Sequence, residues 1–170
     1  FTEVDAFMWT QQVEDLSGIQ CFSSFETLVM SRSAITDLTP VAALENLTTL
    51  TLRSIDDLRD LSPIATMTQL EQLALEGGVN QERDPDILAP IANLTHLVSL
   101  DLGSTHTQDL SVVSNLVSLV TLHVDNNLVQ DLTPLSTLTG NSFVYLTLSH
   151  NEITDVSPLA HLTFEDLSLR

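Results

Sequence analysis

Asp101, His123 and Thr147 bring an acid, an imidazole and a hydroxyl, with Asp125, Ser149 and His150 close behind them in the chain. Two kinds of chemistry could use such a set. In the order acid–imidazole–hydroxyl it has the parts of a nucleophilic triad, where the acid holds the base and the base takes the hydroxyl proton. Alternatively, Asp101, His123, Asp125 and His150 carry the oxygen and nitrogen donors that a divalent metal accepts. Residue types alone do not make either site. A triad also needs oxyanion donors and a water-excluding pocket, and a metal needs several donors converging on one point. The decisive question is which elements bring these distant positions together.

Those elements are written in a repeat. The pattern apolar-x-x-apolar-x-apolar runs along the chain as Phe25-Leu28-Met30, Leu47-Leu50-Leu52, Leu70-Leu73-Leu75 and Leu97-Leu100-Leu102. It continues as Leu119-Leu122-Val124, Phe143-Leu146-Leu148 and Phe164-Leu167-Leu169, after a weaker first copy ending on Ala6 and Met8. Successive copies lie between 21 and 27 residues apart, inside the ~20–29 residue period of a leucine-rich repeat. Residues two apart on a strand share a face, so the last two apolar positions point inward and their neighbours outward. No single copy can bury its own leucines. Stacking joins their inner faces into one core and pairs the strands into a parallel sheet.

The second half of each copy is just as regular, as in Ile35-Thr36-Asp37-Leu38-Thr39-Pro40 and Val129-Gln130-Asp131-Leu132-Thr133-Pro134. The Ser or Thr before proline predicts an N-cap, and proline suits the first helical position. The few residues left before the next strand allow only a single 3₁₀ or α turn. The aspartates Asp15, Asp37, Asp60, Asp109, Asp131 and Asp155 should form a ladder, each accepting backbone N–H groups of its own turn, with a calcium ladder as the alternative. One copy is over-long, and residues 77–86, which include Gly77-Gly78 and Asp84-Pro85, are expected to protrude as a loop.

Composition narrows the partners. The 170 residues carry 23 acidic side chains against five arginines and no lysine, for a formal charge of −18. Such a surface repels phosphate backbones and anionic headgroups, which argues against nucleic acid and membrane surfaces; it fits a basic protein partner and equally plain solubility, especially in a saline habitat. Leucine alone supplies 31 residues while aromatics reach 5%, as uniform repeated packing requires. No apolar run approaches the ~18 residues of a membrane span. The lone Cys21 excludes an internal disulfide and a multi-thiolate zinc site, and as the neighbour of Phe22 it is expected to be a small buried residue.

The L-x-x-L-x-L core followed by I-x-D-L-[ST]-P-L resembles the short leucine-rich repeats of bacterial internalins, a class shared with regulatory subunits of protein phosphatases. Gln12-Val13-Glu14-Asp15-Leu16-Ser17-Gly18-Ile19 is similar to the repeat that follows the internalin N-terminal cap. The resemblance covers nearly the whole chain. It implies an α/β leucine-rich-repeat solenoid, right-handed, with one parallel sheet on the concave face and short turns on the convex face. The family's helical cap and immunoglobulin-like domain are not visible, and the usual asparagine after the strand survives as Asn127 and Asn151, with Ser33 and Thr105 elsewhere. Residues 1–170 are read as one domain of about seven full repeats with partial ends. The chain opens on Phe1, which suggests a piece of something longer.

In that architecture function belongs to the variable, outward strand positions. The candidates are Trp9, Arg53, Glu76, Asp101, His123, Asp125 and Tyr145. Phe7 and Trp9 read equally well as interface anchors or as residues packed beneath a cap, while Tyr145, between Thr121 and Asp166, reads as an anchor. Eight strands at ~4.8 Å spacing form a ribbon roughly 34 Å long, which suits a protein or long peptide better than a metabolite. The expectation is a non-catalytic interaction module at a bacterial surface or secreted from it, with no cofactor. The alternatives are an intracellular subunit docking on an enzyme such as a phosphatase, hence cytoplasmic, and a structural envelope repeat.

Overall fold

The computed structural model describes residues 5–9, 13–77, 79, 84–139 and 142–169, with the backbone alone at 5–9 and 142. Among the described residues the inner-face leucines stack as the repeat predicts. Strands β1 (Asp5–Trp9), β2 (Thr27–Ser31), β3 (Thr49–Arg53) and β4 (Gln72–Ala74) lead into β5 (Ser99–Asp101), β6 (Thr121–His123), β7 (Ser142–Thr147) and β8 (Thr163–Ser168). They form one sheet in chain order, and every neighbouring pair is parallel. The register puts Leu28, Leu50, Leu73, Leu100, Leu122, Leu146 and Leu167 in one row across seven strands. This is a right-handed solenoid.

The register buries Leu50, Leu100, Leu122 and Leu146 completely. Each such side chain contributes roughly 1.5–3 kcal/mol relative to an exposed one. Leu167 keeps its place in the row but is 38% exposed, because among the described residues no ninth strand covers it. Leu169 and Val156 are exposed at the same end.

The turn halves stack behind the sheet. Thr39–Ala42 makes one α turn, and Ser62–Thr66, Ala89–Asn93, Ser111–Asn115, Thr133–Thr137 and Ser157–Leu159 make 3₁₀ turns. Each sends apolar side chains into the core: Val41, Ile64, Ile91, Val113 and Leu135 are fully buried, with Val112 and Leu159 nearly so. The expected Ser or Thr cap does not form, because that residue already lies inside the turn and the preceding leucine occupies the cap position. The aspartate two residues earlier does the satisfying. Its carboxylate accepts the backbone N–H of Ser17, Thr39, Ser62, Ser111, Thr133 and Ser157, from Asp15, Asp37, Asp60, Asp109, Asp131 and Asp155 respectively, at 2.7–2.8 Å. Each carboxylate therefore serves its own turn.

Buried and half-buried asparagines close the other side of the repeat. Asn127 donates through Nδ2 to the carbonyls of Leu102 and Val124 and accepts the N–H groups of Thr105 and Thr107 at Oδ1. Asn151 repeats the scheme one copy later, with Leu148, Val124 and Val129. The strands then leave through left-handed residues, Arg32, Ser54, Gly77, Ser104, Asn126 and His150, all with φ between 51° and 59°. The N–H of each of the first five donates to a carbonyl of the next copy, which holds the conformation in place.

Two further expectations fail or fall outside. Cys21 is exposed, for a reason the repeat contains: the equivalent positions Ala43, Thr66, Asn93, Asn115 and Thr137 all face solvent. Phe22 is 54% exposed and stacks on Phe25 with ring centroids 5.0 Å apart, since no earlier turn among the described residues covers it. Residues 78 and 80–83 of the over-long copy, where protrusion was expected, lie outside the described residues. Its described ends are anchored, with the Gly77 N–H bonded to the Gly103 carbonyl and Val79 and Ile87 in the core.

Leu100→Ala is expected to cost about 2–5 kcal/mol in denaturant melts, and Leu167→Ala distinctly less, below about 1.5 kcal/mol. Equal losses would place the end of the sheet under cover. The turn aspartates make a pH-dependent contribution. The hydroxyls of Ser17, Thr39 and Thr133, then their backbone N–H groups, hold Asp15, Asp37 and Asp131 below the ordinary carboxylate value; at Asp155 the backbone N–H of Ser157 leads. A depressed folded-state value gives stability that is present above the unfolded carboxylate range, near pH ~3.9, and is lost as pH falls through the folded value. Asp131→Ala should therefore lower the urea midpoint at pH 7 and lose most of that deficit in strong acid. A deficit unchanged by acid would mean that the carboxylate charge is not what holds the turn.

Candidate functional site

The outward strand positions form a continuous face because every strand pairs in register. Asp101, His123 and Thr147 occupy one row on β5, β6 and β7, and Thr121, Tyr145 and Asp166 a second row on β6, β7 and β8. The repeat period alone predicts these rows.

The bonds within them are not what a triad requires. Thr147 Oγ1 donates to the Asp125 carboxylate, and His123 Nδ1 lies 2.9 Å from the same hydroxyl. A hydroxyl has one proton, and this one is committed to Asp125. His123 Nδ1 must then be the donor to Thr147, which leaves Nε2 as the ring nitrogen available to another molecule. The order is acid–hydroxyl–imidazole, so the carboxylate holds the hydroxyl and not the base. Asp101, the acid in row with His123, spends Oδ1 on the Gly103 N–H at 2.8 Å. Asp125 Oδ1 accepts the Ser149 N–H at 2.8 Å. No three of the His, Cys, Asp and Glu side chains among the described residues are placed to hold a metal ion together. What the arrangement can do is present fixed acceptors and one imidazole nitrogen to an incoming surface.

Toward the earlier strands the character changes. Arg53 Nε and Glu76 Oε2 form an ion pair at 3.1 Å, with both side chains about half exposed. A pair so exposed is worth little to stability, with a median near ~0–1 kcal/mol. Tyr145, 48% exposed, is the large ring on the face among the described residues. Trp9 sits opposite Ser31 in the sheet register, and its side chain lies outside the described residues, as does that of Phe7.

One contributor gave little sign in the sequence. A side chain at Gly103 would place its Cβ 3.1 Å from Asp101 Oδ1 and 3.9 Å from both the Glu76 side chain and the Asp125 carbonyl. The missing side chain keeps the ground open between three carboxylate-bearing residues. Only its place in the outward set hints at this.

Thr147→Val tests the bond order. In wild-type protein, 15N spectra taken where the rings are neutral should show His123 in the Nδ1–H tautomer. In the variant the population should move toward Nε2–H. A wild-type ring already in the Nε2–H form would reverse the assignment.

Neither protein-family models nor curated protein sequences give a match to this chain. Solved structures do. Internalin C2 of Listeria monocytogenes is 30% identical with a TM-score of 0.81, over 94% of this chain and 67% of that one. Internalin F of the same organism is 32% identical with a TM-score of 0.71, over 90% of this chain and 44% of that one. A leucine-rich-repeat protein of Leptospira interrogans, 23% identical with a TM-score of 0.78 over 92% of this chain and 40% of its own, shares the fold. The chain thus spans about two thirds of the first of these proteins and less than half of the other two.

Proposed function

This chain belongs to the internalin-like leucine-rich-repeat proteins, a fold of protein-interaction modules, and from that premise we propose that it binds a protein partner on its concave strand face without catalysing a reaction. The observation that carries the reading is the face itself. Glu76, Asp101, His123, Asp125 and Tyr145 project from successive copies, and the leucine framework does not require their identities. Glu76, Asp101, His123 and Asp125 each have a polar atom held by a neighbour, so little of their side-chain freedom remains to be lost on binding. Tyr145 supplies the apolar contact, and the carboxylates supply acceptors for Arg or Lys.

The partner of best electrostatic fit presents basic residues around an apolar contact, and attraction between such exposed charges weakens as salt rises. We place the protein outside the cell, secreted or displayed on its surface, as a family reading. No helix among the described residues is long and apolar enough to cross a membrane.

The test begins with a panel of basic extracellular proteins and measures dissociation constants for whichever binds. Tyr145→Ala and His123→Ala should each weaken binding by roughly tenfold or more. Val117→Ala, on an exposed residue of a turn segment outside the sheet, should leave it unchanged. Loss of binding with Val117→Ala and none with the other two would move the interface to the convex side.

A further inference from the structure

The two arginines of β3 and the end of β2 meet at the C-terminal edge of the sheet. A cavity of about 410 Å³ opens there, lined by Ser31, Arg32, Arg53, Ser54, Glu76, Gly77 and Ser104. Among the described residues the arginines are Arg32, Arg53 and Arg59, so two of the three face one hollow in a chain of formal charge −18. We propose that this cavity is a carboxylate-binding site that takes an Asp or Glu side chain of the protein partner. The proposal rests on the protein-binding reading above.

Three observations support it. The first is charge accounting. Glu76 neutralises one guanidinium through its bond to Arg53, and the exposed guanidinium of Arg32 has no hydrogen bond or ion pair among the described residues. Among the described residues the hollow is left with one uncompensated positive charge. The second is the backbone beneath Arg32. The row of left-handed residues is otherwise Ser54, Gly77, Ser104, Asn126 and His150, mostly types that tolerate a positive φ. An arginine at φ 54° has no such excuse, so turn chemistry does not explain its presence. The third is the lining. The hydroxyls of Ser31, Ser54 and Ser104 border the cavity and make no hydrogen bond among the described residues. They are half-buried or exposed donors that a ligand in the cavity can use.

The ligand's charge follows from the surroundings. A guanidinium presents parallel N–H donors that match the two oxygens of a carboxylate. A phosphate dianion would bring a second negative charge beside Glu76 and into the field of the whole acidic molecule. A singly charged, planar group is therefore favoured. On this reading the partner is mixed in charge: basic where it meets Asp101 and Asp125, acidic where it meets Arg32.

The probe is a capped Gly-Glu-Gly tripeptide, titrated into the 15N-labelled protein while the arginine Nε–H and nearby backbone signals are followed. Saturable shifts are expected at Arg32, Arg53 and Ser54. The capped Gly-Gln-Gly peptide should give none, and inorganic phosphate weaker ones. Arg32→Gln should weaken the peptide by about tenfold, while Arg59→Gln should leave it unchanged. Glu76→Gln should tighten it by roughly fivefold, because the competing carboxylate is gone. Tyr145→Ala and His123→Ala should not affect it, which separates this site from the concave patch. The proposal is overturned if no saturable shift appears, if the glutamine peptide or phosphate binds as well, or if Arg59→Gln matches Arg32→Gln.

Discussion

A single repeat of this chain has a leucine on the inner side of its strand and nothing of its own to cover it. The neighbouring copies provide the cover, and that requirement sets the register between them. Leu50, Leu73, Leu100 and Leu122 must stand opposite one another. Because a strand alternates faces, the outward residues are then aligned as strictly as the inward ones. The binding face is thus a by-product of core packing. Asp101, His123 and Thr147 share a row because the leucines beside them share one.

The same stacking explains why costly local features persist. Non-glycine residues in the left-handed region carry a penalty of about 1–3 kcal/mol when the surroundings force them there. Here the surroundings return a hydrogen bond, since the N–H groups of Arg32, Ser54, Ser104 and Asn126 reach carbonyls of the next copy. Asn127 and Asn151 work in the same direction by tying consecutive copies together through a buried and a half-buried amide respectively. Where an apolar Ile55 stands in the asparagine's place, the buried Ser33 hydroxyl of the preceding copy has no hydrogen-bond partner among the described residues. The polar ladder is therefore a property of the later copies, and the earlier ones rely on apolar packing.

How much of this was legible in the sequence follows from what depends on the period. The sheet, its register, the buried row and the aspartate turns are all periodic, and a period can be read directly. The exposure of Cys21 is legible too, against the expectation of burial: aligned with Ala43, Thr66 and Asn93, it stands at a position that faces solvent in the described copies. The order of bonds among Asp125, Thr147 and His123 was not legible, because it depends on side-chain rotamers and on where one hydroxyl proton goes. Nor was the pairing of Arg32 with Arg53 in one cavity. That depends on a left-handed residue turning its side chain along the sheet edge, and an arginine there does not announce the conformation as glycine or asparagine would.

The acidity of the molecule divides along the same line. On the turn edge the charges of Asp15 and Asp37, and of Asp131 and Asp155, repel one another, which raises the carboxyl of the second member of each pair. The hydrogen bonds from each turn nevertheless outweigh the repulsion and leave these groups lowered overall. That portion of the negative charge exists to hold turns and carries no message about a partner. On the concave face the carboxylates are also engaged, Asp101 with Gly103 and Asp125 with Thr147 and Ser149, but these bonds involve residues that vary from copy to copy. They fix the direction of each acceptor without using all its lone pairs. A partner's cation therefore meets carboxylates already oriented, and the cost of ordering them was met when the chain folded. The net charge of −18 is accordingly a poor guide to what binds, and the identity and orientation of these few carboxylates are a better one.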